Sequence, residues 1–163
     1  TIESGEYSLD MKIISPKKII ERIVSEISEK YTLANIKIDI EDTLEVAIDE
    51  VAFRQVITNL LDNALKYSSN EEHSSISIRS KNIGAEVRFE IEDRGIGIPP
   101  ESREKVFERF YRLKPKQSSS KSGVGLGLAI VKNLVNLMGG SVGNQSAHPK
   151  GTIFWFTLNS SNK

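Results

Sequence analysis

The chain has no cysteine, which excludes disulfides and thiolate metal sites and fits a reducing compartment. It has no net charge either: 22 basic residues balance 22 acidic ones, so no overall field draws it to nucleic acid or to an anionic membrane. No apolar run approaches the ~20 residues that span a bilayer, and no signal peptide opens the chain. There is no internal repeat. No glycine is followed by Lys-Ser or Lys-Thr, so a Walker-type phosphate loop is excluded. The two histidines, His73 before Ser-Ser and His148 before Pro, lie in polar stretches suited neither to metal ligation nor to nucleophilic catalysis. What remains is 163 residues, enough for one ordinary domain with its own core and read as a soluble cytosolic unit. The start, Thr1-Ile-Glu-Ser-Gly, lacks both a methionine and a clear element boundary, which marks the chain as a piece of something longer.

The most informative stretch runs from Asp49 to Ser68 and reads as one helix with Asp49 as its N-cap. At about 100° per residue, Phe53, Ile57, Leu60, Leu61 and Ala64 share one side. Gln55, Asn59, Asn63 and Lys66 share the other, with Tyr67 at the border. Two asparagines one turn apart in mid-helix cost roughly 0.5 kcal/mol each, because their side chains compete for the backbone. Helix stability did not select them.

Around this helix the pattern alternates. Residues 1 to 14 read as an irregular or extended lead-in. Ser15-Pro16 offers an N-cap and a proline at the first helical position, followed by the stripe Ile19, Ile20, Ile23, Val24 and Ile27 to about Lys30. Ile36 to Ile40 and Leu44 to Ile48 alternate as half-buried strands. After a polar loop at 69–75 come a strand at Ile76 to Arg79, a turn at Asn82-Ile83-Gly84, and a strand at Glu86 to Glu92 with Val87, Phe89 and Ile91 inward. These strands, with helices on either side, predict one mixed sheet covered on one face. Beyond Asp93 the sequence predicts a short helix from Glu101 to Phe110, with Val106, Phe107 and Phe110 on one side. A basic, Ser-rich loop follows at 113–122, near the length at which loops serve as lids. A second long helix opens at Gly123 and runs to Met138, stopped by Gly139-Gly140. Ser141 to Gly143 and Thr152 to Leu158 close the sheet, and residues 159–163 form a polar tail.

Several polar features can converge on one side of such a sheet. The amide oxygens of Asn59 and Asn63 are hard ligands suited to Mg²⁺, an ion often shared with substrate phosphates. Lys66, one turn beyond Asn63, presents a positive charge to the same spot. Asp93, at a strand end in Asp93-Arg-Gly95-Ile-Gly97-Ile-Pro99-Pro100, can accept a hydrogen bond from an exocyclic amine. Gly123, Gly125 and Gly127 let backbone N–H groups approach phosphate at a helix N-terminus. The parts are those of a site for a purine, a polyphosphate and magnesium. Each also has a plainer reading: the asparagines as surface residues, Asp93-Arg-Gly as an ordinary turn, Phe107, Phe110 and Tyr111 as core or lid packing, Trp155 as sheet packing. The glycines at 123, 125 and 127 do not make a dinucleotide fingerprint, since the third required glycine falls at Leu128 and a hydrophilic loop precedes them.

Order and spacing decide between these readings. Asn59-Leu-Leu-Asp-Asn63-Ala-Leu-Lys66-Tyr67-Ser, the Asp93 loop, Phe107-Glu-Arg-Phe110-Tyr-Arg112 and Gly123-Val124-Gly125-Leu126-Gly127-Leu128 closely resemble, in order, the N, G1, F and G2 boxes of sensor histidine kinases. The resemblance covers roughly Ile13 to Leu158. It implies the Bergerat fold, an α/β (α+β) two-layer sandwich with ATP held between the N-box helix, the G1 loop and a lid. On that resemblance Asn63 coordinates Mg²⁺, assisted by Asn59, Lys66 contacts phosphate, and Tyr67 lies against adenine. Asp93 accepts from the adenine amine, while Gly95, Gly97 and Ile98 border the base. Arg112 stabilises the γ-phosphate, with Arg109 the weaker candidate. The segment 123–128 binds phosphates through its backbone, and 113–122 is the lid.

The resemblance also implies boundaries and partners. Residues 1–14 would lead in from a missing dimerisation domain, 15–158 form the ATP-binding catalytic domain, and 159–163 the tail. The partners would be that dimerisation domain, which carries the phosphorylated histidine and makes the parent a homodimer, and the receiver domain of a response regulator. The domain by itself is expected to be a monomer in the cytoplasm, in a parent that could be membrane-anchored. Related gyrase, Hsp90 and MutL ATPases have glutamate, a general base, where this chain has Asn59. An amide cannot take a proton at neutral pH, so Asn59 argues for transfer to an already nucleophilic imidazole. Two other classes stay open: a nucleotide-gated binding module without transfer, and a glutamate-independent ATPase. Neither His73 nor His148 has the context of a phosphorylated histidine, so the chain is expected to bind ATP without phosphorylating itself.

Overall fold

The computed structural model describes residues 8–30, 35–67, 75–111 and 126–160. In chain order the elements are β1 (Met11–Ile14), α1 (Pro16–Lys30), β2 (Asn35–Asp39), β3 (Val46–Asp49), α2 (Glu50–Tyr67), β4 (Ser75–Ile83), β5 (Glu86–Glu92), α3 (Gly127–Leu137), β6 (Val142–Ser146) and β7 (Thr152–Asn159). Two 3-10 turns, Pro100–Ser102 and Lys105–Phe107, lie between β5 and α3.

Five strands form one mixed sheet in the order β2-β4-β5-β7-β6, with β2 parallel to β4 and the other pairs antiparallel. The helices pack on one face of it, giving the expected two-layer sandwich. Strand periodicity explains why. Val87, Phe89 and Ile91 are buried toward the helices, as are Ile76 and Ile78 of β4 and Phe154, Phe156 and Leu158 of β7. Phe53 of α2 inserts edge-on against Phe89 and Phe156, with ring centroids 5.5 and 6.0 Å away, while those two rings stack at 5.0 Å. That triad seats α2 on the sheet. The stripe of α1 (Ile19, Ile20, Ile23) and that of α3 (Val131, Leu134, Val135, with Met138 just beyond) complete the core. Gly139, at φ +87°, stops α3: its N–H bonds the Asn136 carbonyl and that of Gly140 the Val135 carbonyl, a Schellman closure.

Besides α3 opening at Gly127 rather than Gly123 and β6 running over Val142–Ser146 rather than Ser141 to Gly143, four details depart from the sequence expectations. The lead-in contains a true strand, β1, which pairs with β3 in a separate two-stranded sheet, so the strands do not all join one sheet. Strand β4 runs on to Ile83 and the turn falls at Gly84-Ala85, because Gly84 supplies the φ of +60° that a tight turn needs. The stretch expected as a helix from Glu101 to Phe110 is the pair of 3-10 turns, and Phe110 is 70% exposed at φ +64° instead of sharing a buried side with Val106 and Phe107. Tertiary bonds override helix propensity there. The Arg103 carbonyl accepts from Asn144 Nδ2 at 2.8 Å, Arg103 Nη2 donates to Ser146 Oγ at 2.7 Å, and Ser102 Oγ meets the Tyr111 hydroxyl at 2.8 Å. Finally, the buried Ser15 hydroxyl precedes α1 as expected but has no hydrogen-bond partner among the described residues, so it does not cap. Asp49 does: its Oδ1 accepts the Ala52 N–H at 2.9 Å.

Candidate nucleotide site

Helix α2 carries the expected polar side, and the structure splits it in two. Gln55 and Thr58 are exposed, whereas Asn59, Asp62, Asn63, Lys66 and Tyr67 are half-buried. The cover over Asn59 comes from the start of α3. The Cβ position of Gly127 lies 3.9 Å from the Asn59 amide, in ordinary van der Waals contact. A carboxamide therefore sits beside a helix N-terminus. Among the described residues no side chain caps that terminus and no acidic residue occupies its first turn, so its leading N–H groups suit an anion. The Asn59 Nδ2 is itself buried with no partner among the described residues. A buried amide normally satisfies its bonds, so this one points to a missing polar partner. Rotating the amide by 180° brings Oδ1 to the same position. Asn63, half-buried, follows one turn on along the same side of α2. Two carboxamides at this spacing fit a hard divalent cation that keeps most of its waters.

Lys66 forms an i,i+4 ion pair with Asp62 at 3.2 Å. Asp62 was absent from the sequence-level candidates. The structure places it as the carboxylate that holds the Lys66 ammonium beside the asparagines.

Asp93 follows β5 directly and is 3% exposed. Its Oδ1 accepts the Gly95 N–H at 2.8 Å and the Thr152 N–H at 3.3 Å, and its own N–H bonds the Thr152 carbonyl at 2.9 Å. Both side-chain bonds fall on one oxygen. No hydrogen bond among the described residues engages Oδ2, which suits it to a donor such as an exocyclic amine. Burial pushes the Asp93 carboxyl above its ordinary range, the Gly95 and Thr152 N–H groups pull it back, and the charge of Glu92 adds to the rise.

The glycines of this loop also have a reason within the fold itself. A Cβ on Gly95 would overlap the carbonyl of Tyr67, the last residue of α2. Gly95 thus clamps the Asp93 loop to the end of the helix that carries the asparagines. Gly97 adopts φ +78°, and Ile98 anchors the loop on the core. Gly151 was missed by the sequence reading. A Cβ there would overlap the Asp93 carbonyl, and with Thr152 it braces the loop from behind. A Gly-Thr pair opening an apolar strand was the signal available.

Leu126 lies at the N-cap of α3 and Leu128 packs half-buried on the core. Arg112, Gly123, Val124, Gly125, the segment 113–122 and His73 lie outside the described residues. His148 is exposed on the turn between β6 and β7. The structure thus brings together Asn59, Asn63 and Lys66 on α2, Gly127 on α3, and an Asp93 loop fastened to the end of α2.

Comparison with known proteins places this arrangement. Residues 48–162 match the family described as histidine kinase-, DNA gyrase B- and HSP90-like ATPase. The sensor histidine kinase WalK of Bacillus subtilis (strain 168) is 34% identical over 158 residues, 96% of this chain and 26% of WalK. The chain therefore spans about a quarter of that relative's length. The mycobacterial sensor histidine kinase MprB superimposes with a TM-score of 0.80 at 29% identity, covering 93% of this chain and 98% of that one. Full-length ShkA, solved in complex with AMPPNP, superimposes with a TM-score of 0.80 at 25% identity, over 98% of this chain and 34% of that chain.

Proposed function

Because this chain belongs to the histidine kinase-, DNA gyrase B- and HSP90-like ATPase family, as a catalytic ATP-binding domain of the sensor histidine kinase type, we propose that it binds Mg-ATP across α2, the Asp93 loop and the start of α3 and delivers the γ-phosphoryl group to a histidine on a separate dimerisation domain. The observation that carries the reading is the buried Asn59 amide, unpartnered among the described residues, set against the start of α3, which none of them caps with a side chain.

Asp93 Oδ2 accepts from the adenine amine, and Tyr67 flanks the ring. Asn63, with Asn59, would hold Mg²⁺. When bound, that ion neutralises phosphate charge as the bond to the leaving group breaks. Lys66 shifts from Asp62 toward phosphate, and the N–H groups opening α3, with the 123–128 segment, cradle the oxygens. The acceptor imidazole nitrogen attacks the γ-phosphorus in line, the bond to the β,γ-bridging oxygen breaks, and ADP leaves. Asn59 cannot serve as a base, so the proton of the acceptor goes to a group on the other domain. Positioning and charge neutralisation are this domain's contribution, with Arg112 ahead of Arg109 for the γ-phosphate.

On this reading residues 1–14 lead in from the dimerisation domain, 15–158 form the catalytic domain and 159–163 the tail. The parent homodimerises through the other domain, hands its phosphoryl group to a receiver domain, and keeps this monomeric unit in the cytoplasm. The test is to mix the chain with radiolabelled Mg-ATP and the separately produced histidine-bearing domain of the parent. Acid-labile, base-stable label on that domain is expected. Nucleotide binding without transfer would replace the kinase reading with that of a nucleotide-gated module.

A further inference from the structure

Asp49 uses both of its carboxylate oxygens. Oδ1 caps α2 through the Ala52 N–H at 2.9 Å, and Oδ2 accepts the Asp10 N–H at 2.8 Å, just ahead of β1. The group is 6% exposed and lies in β3 opposite Met11 of β1. From these bonds we infer that Asp49 is a positioning residue that couples the lead-in strand to the nucleotide site. The inference rests on the proposed site and adds a route by which the preceding chain biases it.

Strand β1 is weakly held. Asp10, Met11, Lys12 and Ile13 are exposed, and only Ile14 and the preceding Leu9 pack on the core. Beyond that packing and its contact with α2, its fastenings among the described residues are the ladder to β3 and the Asp49 clasp. Segments with few buried contacts open at low free energy, so β1 can detach without global unfolding.

Helix α2, by contrast, is gripped at both ends. Asp49 holds its first turn, and Gly95 of the Asp93 loop presses on the Tyr67 carbonyl at its last. Asn59 and Asn63 lie about 15 and 21 Å along the axis from Asp49, at 1.5 Å per residue. A rigid rod held at its first turn carries a small displacement there to both asparagines and to the Gly95 contact. Released at β1, Asp49 keeps its helix cap but loses the bond that fixes its rotamer. Bound nucleotide, drawing α2, α3 and the Asp93 loop together, should favour the clasped state. Linkage makes the effect reciprocal: nucleotide protects β1, and an intact clasp tightens nucleotide.

Two substitutions separate clasp from cap. Asp49→Asn retains an oxygen for Ala52 but turns an N–H group toward the Asp10 donor. Asp49→Ser keeps an N-cap hydroxyl and has no second acceptor. The experiment is hydrogen exchange of the amides of residues 10–14 in the 163-residue chain, with and without Mg-AMPPNP, alongside direct nucleotide titration. In the wild type, nucleotide should slow exchange in β1. Both variants should lose that slowing, keep the protection of α2 in the free protein, and bind nucleotide roughly fivefold or more weakly. Wild-type binding without β1 protection, or variants that retain it, would overturn the coupling while leaving the site intact. Absence of any nucleotide binding by the wild type would overturn the site and the coupling with it.

Discussion

Asp93 shows how a single residue can be costly to the fold and, on the proposed reading, central to the site. Its folded-state carboxyl is raised by burial, so the folded chain holds the proton more tightly than the unfolded chain does. Stability contributed by this group therefore falls as pH rises from the ordinary carboxylate range through the raised value. Asp93→Asn keeps an oxygen for Gly95 and Thr152 and removes the ionisation. At pH 7 its midpoint of thermal unfolding should equal or exceed that of the wild type, with the difference shrinking as pH drops below the ordinary carboxylate value. Nucleotide affinity should fall roughly 10- to 100-fold, because a donor now faces the adenine amine. Calorimetric titration and a thermal scan at several pH values check both halves. Gly95→Ala should do harm of another kind: its methyl meets the Tyr67 carbonyl, so stability should drop by about 1–3 kcal/mol, and nucleotide affinity with it. Gly84→Asn is the control in the same assays. Gly84 also has positive φ but open space around its Cβ position, and asparagine tolerates that backbone, so little should change.

Among the elements, the sheet face without helices accounts for much of what holds the scaffold. Glu90 is 3% exposed there although no described element packs over it. Its neighbours do the covering. Arg79 Nε donates to its Oε1 at 2.7 Å, Lys81 lies 3.4 Å from the same oxygen, and Arg88 Nε lies 2.9 Å from Oε2 as an ion pair without hydrogen-bond alignment. Arg79 also pairs with Glu92 at 2.9 Å, and Arg88 stacks over Trp155 at 4.5 Å while donating to Gln145 of the edge strand β6. One network thus ties β4, β5, β7 and β6 together. Burial pushes the Glu90 carboxyl up, but the Arg79 bond and charge, with Lys81 and Arg88, more than offset this and hold it below its usual range. With a depressed folded value, its contribution is present above the ordinary carboxylate range and lost as pH falls through the folded one. Glu90→Gln should lower stability by about 1–3 kcal/mol at pH 7, an effect that fades in acid. Denaturant melts at pH 7 and pH 3 measure it. Nucleotide affinity should be nearly unchanged, since the network lies on the face away from α2.

For the whole molecule, the site depends on parts distant in sequence meeting on one helix. α2 supplies the asparagines, α3 starts against Asn59, and the Asp93 loop is clamped to Tyr67 in front and braced by Gly151 and Thr152 behind. No described histidine lies at the proposed phosphate end, and the sequence context of His73 (before Ser-Ser) is not that of a phosphorylated histidine. His148 sits exposed on the turn just ahead of Gly151, on the Asp93 side of the site. The isolated chain with Mg-ATP should therefore acquire no acid-labile phosphate, and label should appear only once the histidine-bearing domain is added. Label on His148 in the isolated chain would contradict this geometry.

Much of this was legible in one dimension because its causes are local. Helical periodicity in α1, α2 and α3, alternation in β5, the Asp49 cap and the stop at Gly139-Gly140 follow from side chains a few residues apart. Four motifs in order announced the family. Partners far along the chain decided the rest. Strand β1 exists because β3 is beside it, and residues 101–110 fail to form a helix because β6 holds Arg103. Gly95 is required by a helix carbonyl 28 residues earlier, and Gly151 by an aspartate 58 residues earlier. By itself the sequence determined which groups can meet a nucleotide, since chemistry resides in side-chain type and spacing. Only the tertiary structure decided which of them are buried, paired or left without a partner, since those depend on neighbours that the chain supplies only once it has folded.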